Sequence, residues 1–265
     1  MSNILQLSVV IVGFQSRGVL GPCLASLDGD SSSSREILLV DNASTDGTAA
    51  WVREAHPDVK LLHSPTNVGF ARACNQALQV ASGRHILFLN PDTILAPATL
   101  GRMLERLESE SGVGILSPRL HGGGPPAWGR FPTPLSLALG HLPGTPPPLE
   151  PPAGPVDWVL GACMLVRGDL LRRLGGFDPD YFLYGEDLDL CDRVQAAGFS
   201  VLYAPEIAVY HRGNDVWDDA RRARVQSALL TFFRKRRSRT AHLLVKLGLG
   251  VLNTWRRLVP WPHTE

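Results

Sequence analysis

Glu36-Ile-Leu-Leu-Val-Asp-Asn-Ala-Ser-Thr-Asp-Gly47 is the stretch that decides the fold. Four consecutive apolar residues give way at once to Asp41 and Asn42, so a strand buried on both faces delivers an acid and an amide at its carboxyl end. Upstream, Leu7-Ser-Val-Val-Ile-Val12 is a β-branched run stopped by Gly13. Downstream, Val59 to His63 gives a third strand and His85-Ile-Leu-Phe-Leu89 a fourth, which runs straight into Asn90-Pro-Asp-Thr93. Helices are expected between them, at Val19–Leu27, at Ala49–Glu54 and where Phe70, Cys74, Leu78 and Ala81 recur at helical spacing. Strand and helix alternate, which predicts an α/β fold: a mostly parallel central sheet with helices on both faces. In open sheets of this kind ligands bind beyond the carboxyl ends of the strands. Gly13-Phe14, Asp41-Asn42 and Asn90-Pro-Asp92 all fall on that edge.

A helix over Pro97–Leu107 and a strand over Val113–Leu116 complete the first half. Residues 121–155 then hold eleven of the 21 prolines and the run Gly122-Gly-Gly124, which reads as a loop or lid and not as core. Val156 to Arg167 returns to strand-like sequence, with Gly161-Ala162 where something approaches closely. Leu170–Leu174 is a short helix, and Ser200–Tyr203 and Ile207–Tyr210 read as two further strands, the second ending at His211. Expected units are 1–118, the loop 119–155, 156–214 and a C-terminal helical segment over 215–265.

Gly176 to Arg193 is the densest chemistry in the chain. Gly185 ends an extended run, and Glu186 and Asp187 open a helix that continues through Leu190 and Val194 to Gly198. Acids in a first turn suit the helix dipole. Six of them, Asp178, Asp180, Glu186, Asp187, Asp189 and Asp192, surround Tyr181, Phe182 and Tyr184. Crowded like charges raise one another's pKa, and a carboxylate poised near neutrality serves as a general base.

The 265 residues are 44% hydrophobic with a formal net charge of +1. That figure conceals an asymmetry: Ala220–Thr264 holds eleven Lys or Arg and no acid, which leaves a balance of −9 over 1–219. Arg234-Lys-Arg-Arg237 precedes His242 to Trp255, an apolar run interrupted by Lys246 and shorter than the roughly 18 residues of a spanning helix. With Trp255 and Trp261 it reads as a basic amphipathic tail on an anionic membrane surface. No stacking platform or binding motif points to nucleic acid. Cys23, Cys74, Cys163 and Cys191 stand apart without a C-x-x-C pair, as buried thiols of a reducing compartment do. The short run Leu7–Phe14 lacks a basic leader and a small-residue cleavage site, so it is a strand and not a signal peptide.

Val9-Val-Ile-Val12, Val40-Asp-Asn-Ala-Ser-Thr-Asp-Gly47, Asn67-x-Gly69-Phe-Ala-x-x-x-Asn75, Leu89-Asn-Pro-Asp92, Gly175-Gly-Phe-Asp178 and Phe182-Leu-Tyr-Gly-Glu-Asp187 occur in this order over residues 7–212. Together they resemble the inverting glycosyltransferases of family 2, with a GT-A, Rossmann-like fold. The Asn-Pro-Asp and Tyr-Gly-Glu-Asp versions are most similar to the bacterial rhamnosyltransferase branch, which builds cell-envelope polysaccharide from dTDP-L-rhamnose.

The resemblance implies that Asp41 contacts the pyrimidine base, with Gly13, Phe14 and Asn42 shaping the pocket. Asn67, Gly69, Arg72 and Asn75 would line the nucleotide together with Asn90. Asp92 matches the last acid of the Asp-x-Asp motif that holds Mg²⁺ or Mn²⁺ on the diphosphate, and His211 would be a further ligand. Asn90 departs from the pattern, where an acid is common, and removes one negative charge. Asp187 would be the base and Glu186 would orient it or the acceptor, while Trp158, Gly161 and Tyr184 form the acceptor platform. The implied partners are a dTDP- or UDP-sugar and a glycan or polyprenyl-linked acceptor, placing the protein on the cytoplasmic face of the cell membrane. Galactofuranosyl, hexosyl and N-acetylhexosaminyl transfer stay open beside rhamnosyl transfer. A nucleotidyltransferase would need a Gly-rich, Arg-containing loop where Gly13-Phe-Gln-Ser-Arg-Gly18 stands, and an inactive sugar-binding scaffold would break the acid set.

Overall fold

The computed structural model describes residues 5–30, 33–123, 127–138, 153–213 and 218–258. Its first half alternates β1 (Leu7–Gly13), α1 (Leu20–Asp28), β2 (Arg35–Asp41), α2 (Thr48–Ala55), β3 (Lys60–His63), α3 (Phe70–Leu78) and β4 (His85–Leu89). Every residue of β1 is buried, because it lies between β2 and β4 with helices above and below. Its side chains alternate between two cores. Val10 and Val12 join α3 on one face, while Val9 and Ile11 join α1 on the other. Register brings Gly13 level with Asp41, and Ile11 level with Leu89, so the loops after β1, β2 and β4 leave one edge of the sheet.

The second half runs β5 (Thr93–Leu95), α4 (Thr99–Ser109), β6 (Val113–Gly122), β7 (Trp128–Gly129), α5 (Pro134–Ala138), β8 (Gly154–Val156), β9 (Trp158–Val159), β10 (Cys163–Arg167), α6 (Gly168–Arg173), α7 (Glu186–Ala196), β11 (Ser200–His211), α8 (Asp219–Arg236) and α9 (Arg239–Leu258). The nine-stranded sheet has the order β3-β2-β1-β4-β10-β6-β11-β5, with β8 also on β11. β3, β2, β1, β4, β6 and β11 point one way, and β10, β5 and β8 run against them. The mostly parallel α/β sheet is therefore present. It turns mixed where β10 enters.

Three expectations are corrected. The two strands read at Ser200–Tyr203 and Ile207–Tyr210 are one strand, β11, whose pairing with β6 shifts between Ala204 and Ala208. Pro205 lies within this shift, where a proline is accommodated because the ladder is already irregular. The strand-like run Val156–Arg167 is three short pieces with a turn at residues 160–162. The loop expected over 119–155 is only partly loop: it includes the end of β6, β7, α5 and the start of β8, and Ala127 is buried in the core. The remainder of that loop, like Trp217, Trp261 and the side chain of Trp255, lies outside the described residues.

The C-terminal helices are not an appendage. Ala228, Phe232 and Phe233 of α8 and Val245 and Leu249 of α9 belong to the same core as α3 and α7. Phe131 stacks on Phe232 with 5.9 Å between ring centroids. Among the described residues no helix is long and apolar enough to cross a membrane. All four cysteines are free and buried, and burial pushes the Cys23 thiol up to about 12.

Candidate active site

The edge beyond β1 and β2 is built from short polar links. Gln15, with φ 53°, accepts from the Thr45 and Asp46 N–H groups at 2.8 and 3.1 Å and so joins the two loops. Asn42 donates from its backbone N to Gly13 O (2.8 Å) and from its amide to Asn67 Oδ1 (3.0 Å), and accepts from the Val68 N–H (2.9 Å). Gly69 completes the network by donating to Asn67 Oδ1. Its φ of +85° suits glycine, and an added Cβ would collide with the Phe182 carbonyl, which accepts from the Phe70 N–H at 2.7 Å. The segment before α7 is thereby pressed onto the loop before α3.

The expected nucleotide residues are not equally free. Gly13, Asn42, Asn67 and Gly69 meet in that network, and Phe14 stands half-exposed beside it. Asp41 is fully buried, accepting from the Ser44 N–H at 3.3 Å and lying 3.2 Å from His63 Nδ1. His63, exposed beside this buried carboxylate, is a residue sequence reasoning missed although it sits at the end of β3 level with Asp41. Asn75 is corrected: its amide donates to Phe177 O (2.7 Å) and accepts from Phe177 N (2.9 Å), holding the loop after α6. Arg72 Nε is likewise bonded to Pro179 O.

Asn90, Asp92 and His211 come together from opposite ends of the chain. Asn90 O accepts from Thr93 N and Oγ1, which closes a tight turn into β5, and the antiparallel register of β5 on β11 sets Thr93 opposite His211. Asp92 Oδ1 lies 3.4 Å from His211 Nε2, Asp92 Oδ2 accepts from the Gly213 N–H at 3.2 Å, and Asn90 Nδ2 is 3.3 Å from His211 Nε2. Burial raises the Asp92 pKa, but the His211 hydrogen bond and charge and the Gly213 N–H outweigh it and hold the carboxyl below its usual range. Among the described residues no three His, Cys, Asp or Glu gather as a cation site. One carboxylate and one imidazole nitrogen are donors of the kind Mg²⁺ or Mn²⁺ accepts, and by themselves they would form only part of such a site.

Asp187 heads α7 behind Gly185, whose φ of +83° lets Ala228 of α8 pack against it, and behind Tyr184, a non-glycine residue at φ 73°. Tyr184 is half-buried with the Arg221 guanidinium 5.6 Å from its ring centroid. Asp187 Oδ1 accepts from the Leu188 N–H at 2.8 Å and Oδ2 from the Gly161 N–H at 3.1 Å. The neighbouring Ala162 O accepts from Asn90 N at 2.9 Å, so one turn holds both Asp187 and the start of Asn90-Pro-Asp92. Burial raises the Asp187 pKa against those N–H bonds. Burial, then the Asp187 charge, pushes Glu186 up to about 8. Glu186 Oε2 is buried with no hydrogen-bond partner. Trp158 is corrected as a platform: it is 4% exposed, with its indole N–H on Arg130 O and its ring under Gly129.

The remaining acids of Gly176–Arg193 have another partner. Lys235 Nζ lies 2.6 Å from Asp178 and 2.7 Å from Asp180, Arg237 is 2.8 Å from Asp192, and fully buried Asp189 receives Arg236 Nε at 2.6 Å and Arg193 Nε at 2.7 Å. Burial raises Asp178, but Lys235 overrides it and holds the carboxyl low. Like-charge crowding over the whole segment is thus corrected to a local effect at Glu186 and Asp187, led by burial. The signal in the sequence was the acidic body set against a tail with no acids.

A twisted sheet with a parallel nucleotide-side half, a turn acid after β4 and a carboxylate-headed helix defines a GT-A glycosyltransferase. The chain belongs to glycosyl transferase family 2: the profile of that description matches residues 8–150, and a second, glycosyl transferase family group 2, matches 150–259. It is 30% identical to the N-acetylglucosaminyl-diphospho-decaprenol L-rhamnosyltransferase of Mycobacterium tuberculosis, over 77% of this chain and 75% of that one. It is 26% identical to the low-salt glycan biosynthesis hexosyltransferase Agl10 of Haloferax volcanii, over 74% of this chain and 63% of that one. Its fold is shared with the mannosyltransferase PcManGT of Pyrobaculum calidifontis, solved with GDP-Man and Mn²⁺, at a TM-score of 0.65 and 20% identity, covering 98% of this chain and 82% of that one.

Proposed function

We propose that the chain transfers L-rhamnose from dTDP-L-rhamnose, with inversion, onto a hydroxyl of a cell-envelope glycan or polyprenyl-linked acceptor at the cytoplasmic face of the membrane. The observation that carries this reading is the turn at residues 160–162, where Gly161 N holds the Asp187 carboxylate and Ala162 O holds Asn90. Base and leaving-group side are thereby referenced to two consecutive residues. Asp187 takes the proton of the acceptor hydroxyl as that oxygen bonds to the anomeric carbon, and the bond from the same carbon to the diphosphate breaks. A single attack from the face opposite the leaving group inverts the centre. Asp92 and His211 would hold a divalent cation, which when bound would supply Lewis-acid neutralisation of the diphosphate. Glu186, buried and protonated to about pH 8, places no second full charge beside the base.

The rhamnosyl choice draws support from the name of the mycobacterial relative. The second reading is transfer of a hexosyl, galactofuranosyl or N-acetylhexosaminyl group from a UDP-sugar, favoured by the hexosyltransferase name of the archaeal relative. An inactive sugar-binding scaffold is disfavoured because Asp41, Asp92 and Asp187 are all present. Thermal unfolding with a panel of nucleotide sugars, with and without Mn²⁺, separates them, since a donor that binds only the folded state stabilises it by mass action. Protection by dTDP-rhamnose is expected. Protection by UDP-sugars alone would remove the rhamnosyl reading.

A further inference from the structure

Among the described residues, one face of helix α9 has no partner. Val245 and Leu249 turn inward and are buried, whereas Leu243, Leu244, Leu247 and Val251 are 54–71% exposed. At about 100° per residue these four occupy an arc of roughly 100° on the side away from the core. Leu135 of α5, a helix packed along α9, adds a fifth apolar side chain at 69% exposure. Apolar residues scattered singly on a surface need no explanation, but a continuous stripe along a helix does.

Charge selects what covers it. Arg239 and Lys246, seven positions apart and so on one flank of the stripe, are exposed and make no ion pair among the described residues. No acid occurs from Ala220 to Thr264. Two copies meeting through this face would bring cations together with nothing to neutralise them. A lipid surface has acyl chains for the leucines and phosphate headgroups for the flanking cations. We infer that the outer face of α9, with Leu135, seats the enzyme on the lipid bilayer by shallow apolar insertion.

This inference deepens the membrane-acceptor reading above and rests on it for its purpose, but it changes the physical basis expected from sequence. Lys235, Arg236 and Arg237 are engaged by Asp178, Asp180, Asp189 and Asp192, so the basic cluster before α9 is committed to the protein and not to lipid. Attachment is therefore led by apolar side chains, with Arg239 and Lys246 contributing a minor, salt-sensitive part.

The test is flotation of the full chain with phosphatidylcholine vesicles containing phosphatidylglycerol, at low and high salt, against the triple variant Leu243→Gln, Leu247→Gln, Val251→Gln. The expected result is binding that falls only a few-fold in high salt and about tenfold or more in the variant. Equal binding by both proteins, binding abolished by salt alone, or no vesicle binding with a dimer that the variant lacks would each overturn it. Transfer to a water-soluble acceptor analogue, measured on the same samples, is expected to be unchanged in the variant. Absence of vesicle binding by the unaltered chain, with transfer intact, removes the docking surface alone, whereas vesicle binding by the unaltered chain without any transfer removes the proposed activity.

Discussion

Asp187 Oδ2 accepts the Gly161 N–H at 3.1 Å, and through the next residue of the same turn this carboxylate is tied to Asn90. The carboxylate is aimed by two backbone N–H groups, one on each oxygen, and an Asn in its place keeps the shape but only one of these bonds. Asp187→Asn is expected to lower transfer about 10²–10⁴-fold, the usual worth of a general base, while leaving donor binding intact. Steady-state rates beside a donor-binding titration check this; transfer at near wild-type rate would remove Asp187 as the base.

Glu186 gives a pH signature. Its folded-state pKa is raised from 4.5 to about 8, so its contribution to stability is fully present below about 4.5 and is lost as pH rises toward 8. Glu186→Gln cannot ionise and so carries no such loss, although its amide meets the same lack of a partner at Oε2. The stability of the wild type should fall relative to that of the variant as pH rises from 4.5 to 8. Urea unfolding at both pH values measures it. Parallel curves would show that Glu186 ionises freely.

Asn90 stands beside Asp92 and His211 where a second acid would strengthen cation binding. Asn90→Asp should tighten Mn²⁺ binding in the presence of nucleoside diphosphate by about tenfold, the order of one added nearby charge, and His211→Ala should weaken it. Calorimetric titration of Mn²⁺ tests both. Removing metal with a chelator should abolish any Mn²⁺-dependent part of donor protection in the wild type.

Arg236 is one of two cations on Asp189, which has no exposure of its own. Arg236→Met should cost about 2 kcal/mol, less than the loss of a sole partner because Arg193 remains. The denaturation midpoint reports it, and an unchanged midpoint would mean that the Arg236–Asp189 pair does not help to hold α8.

Much of this was legible in order of locality. The parallel half could be read because each of β1, β2 and β4 is a short apolar run ending in a polar signal, a pattern local to a few residues. β11 was misread as two strands because Pro205 is a local break signal that a bulge overrides, and β10 was hidden because insertion of a reversed strand leaves no mark in the run Cys163–Arg167. The meeting of Asp92 with His211 was anticipated only through resemblance, while His63 over Asp41 and the α8 cations on the α7 acids depend on register and packing. Trp158 shows the converse: an aromatic beside a glycine looks like a sugar platform, and only burial reveals it as core.

Asn90 and His211 are separated by 121 positions, and the cations that steady α7 are later still. A ribosome therefore releases the parallel half early and the reactive end last. Asp189 and Asp192 therefore gain their α8 partners only after that helix has been synthesised.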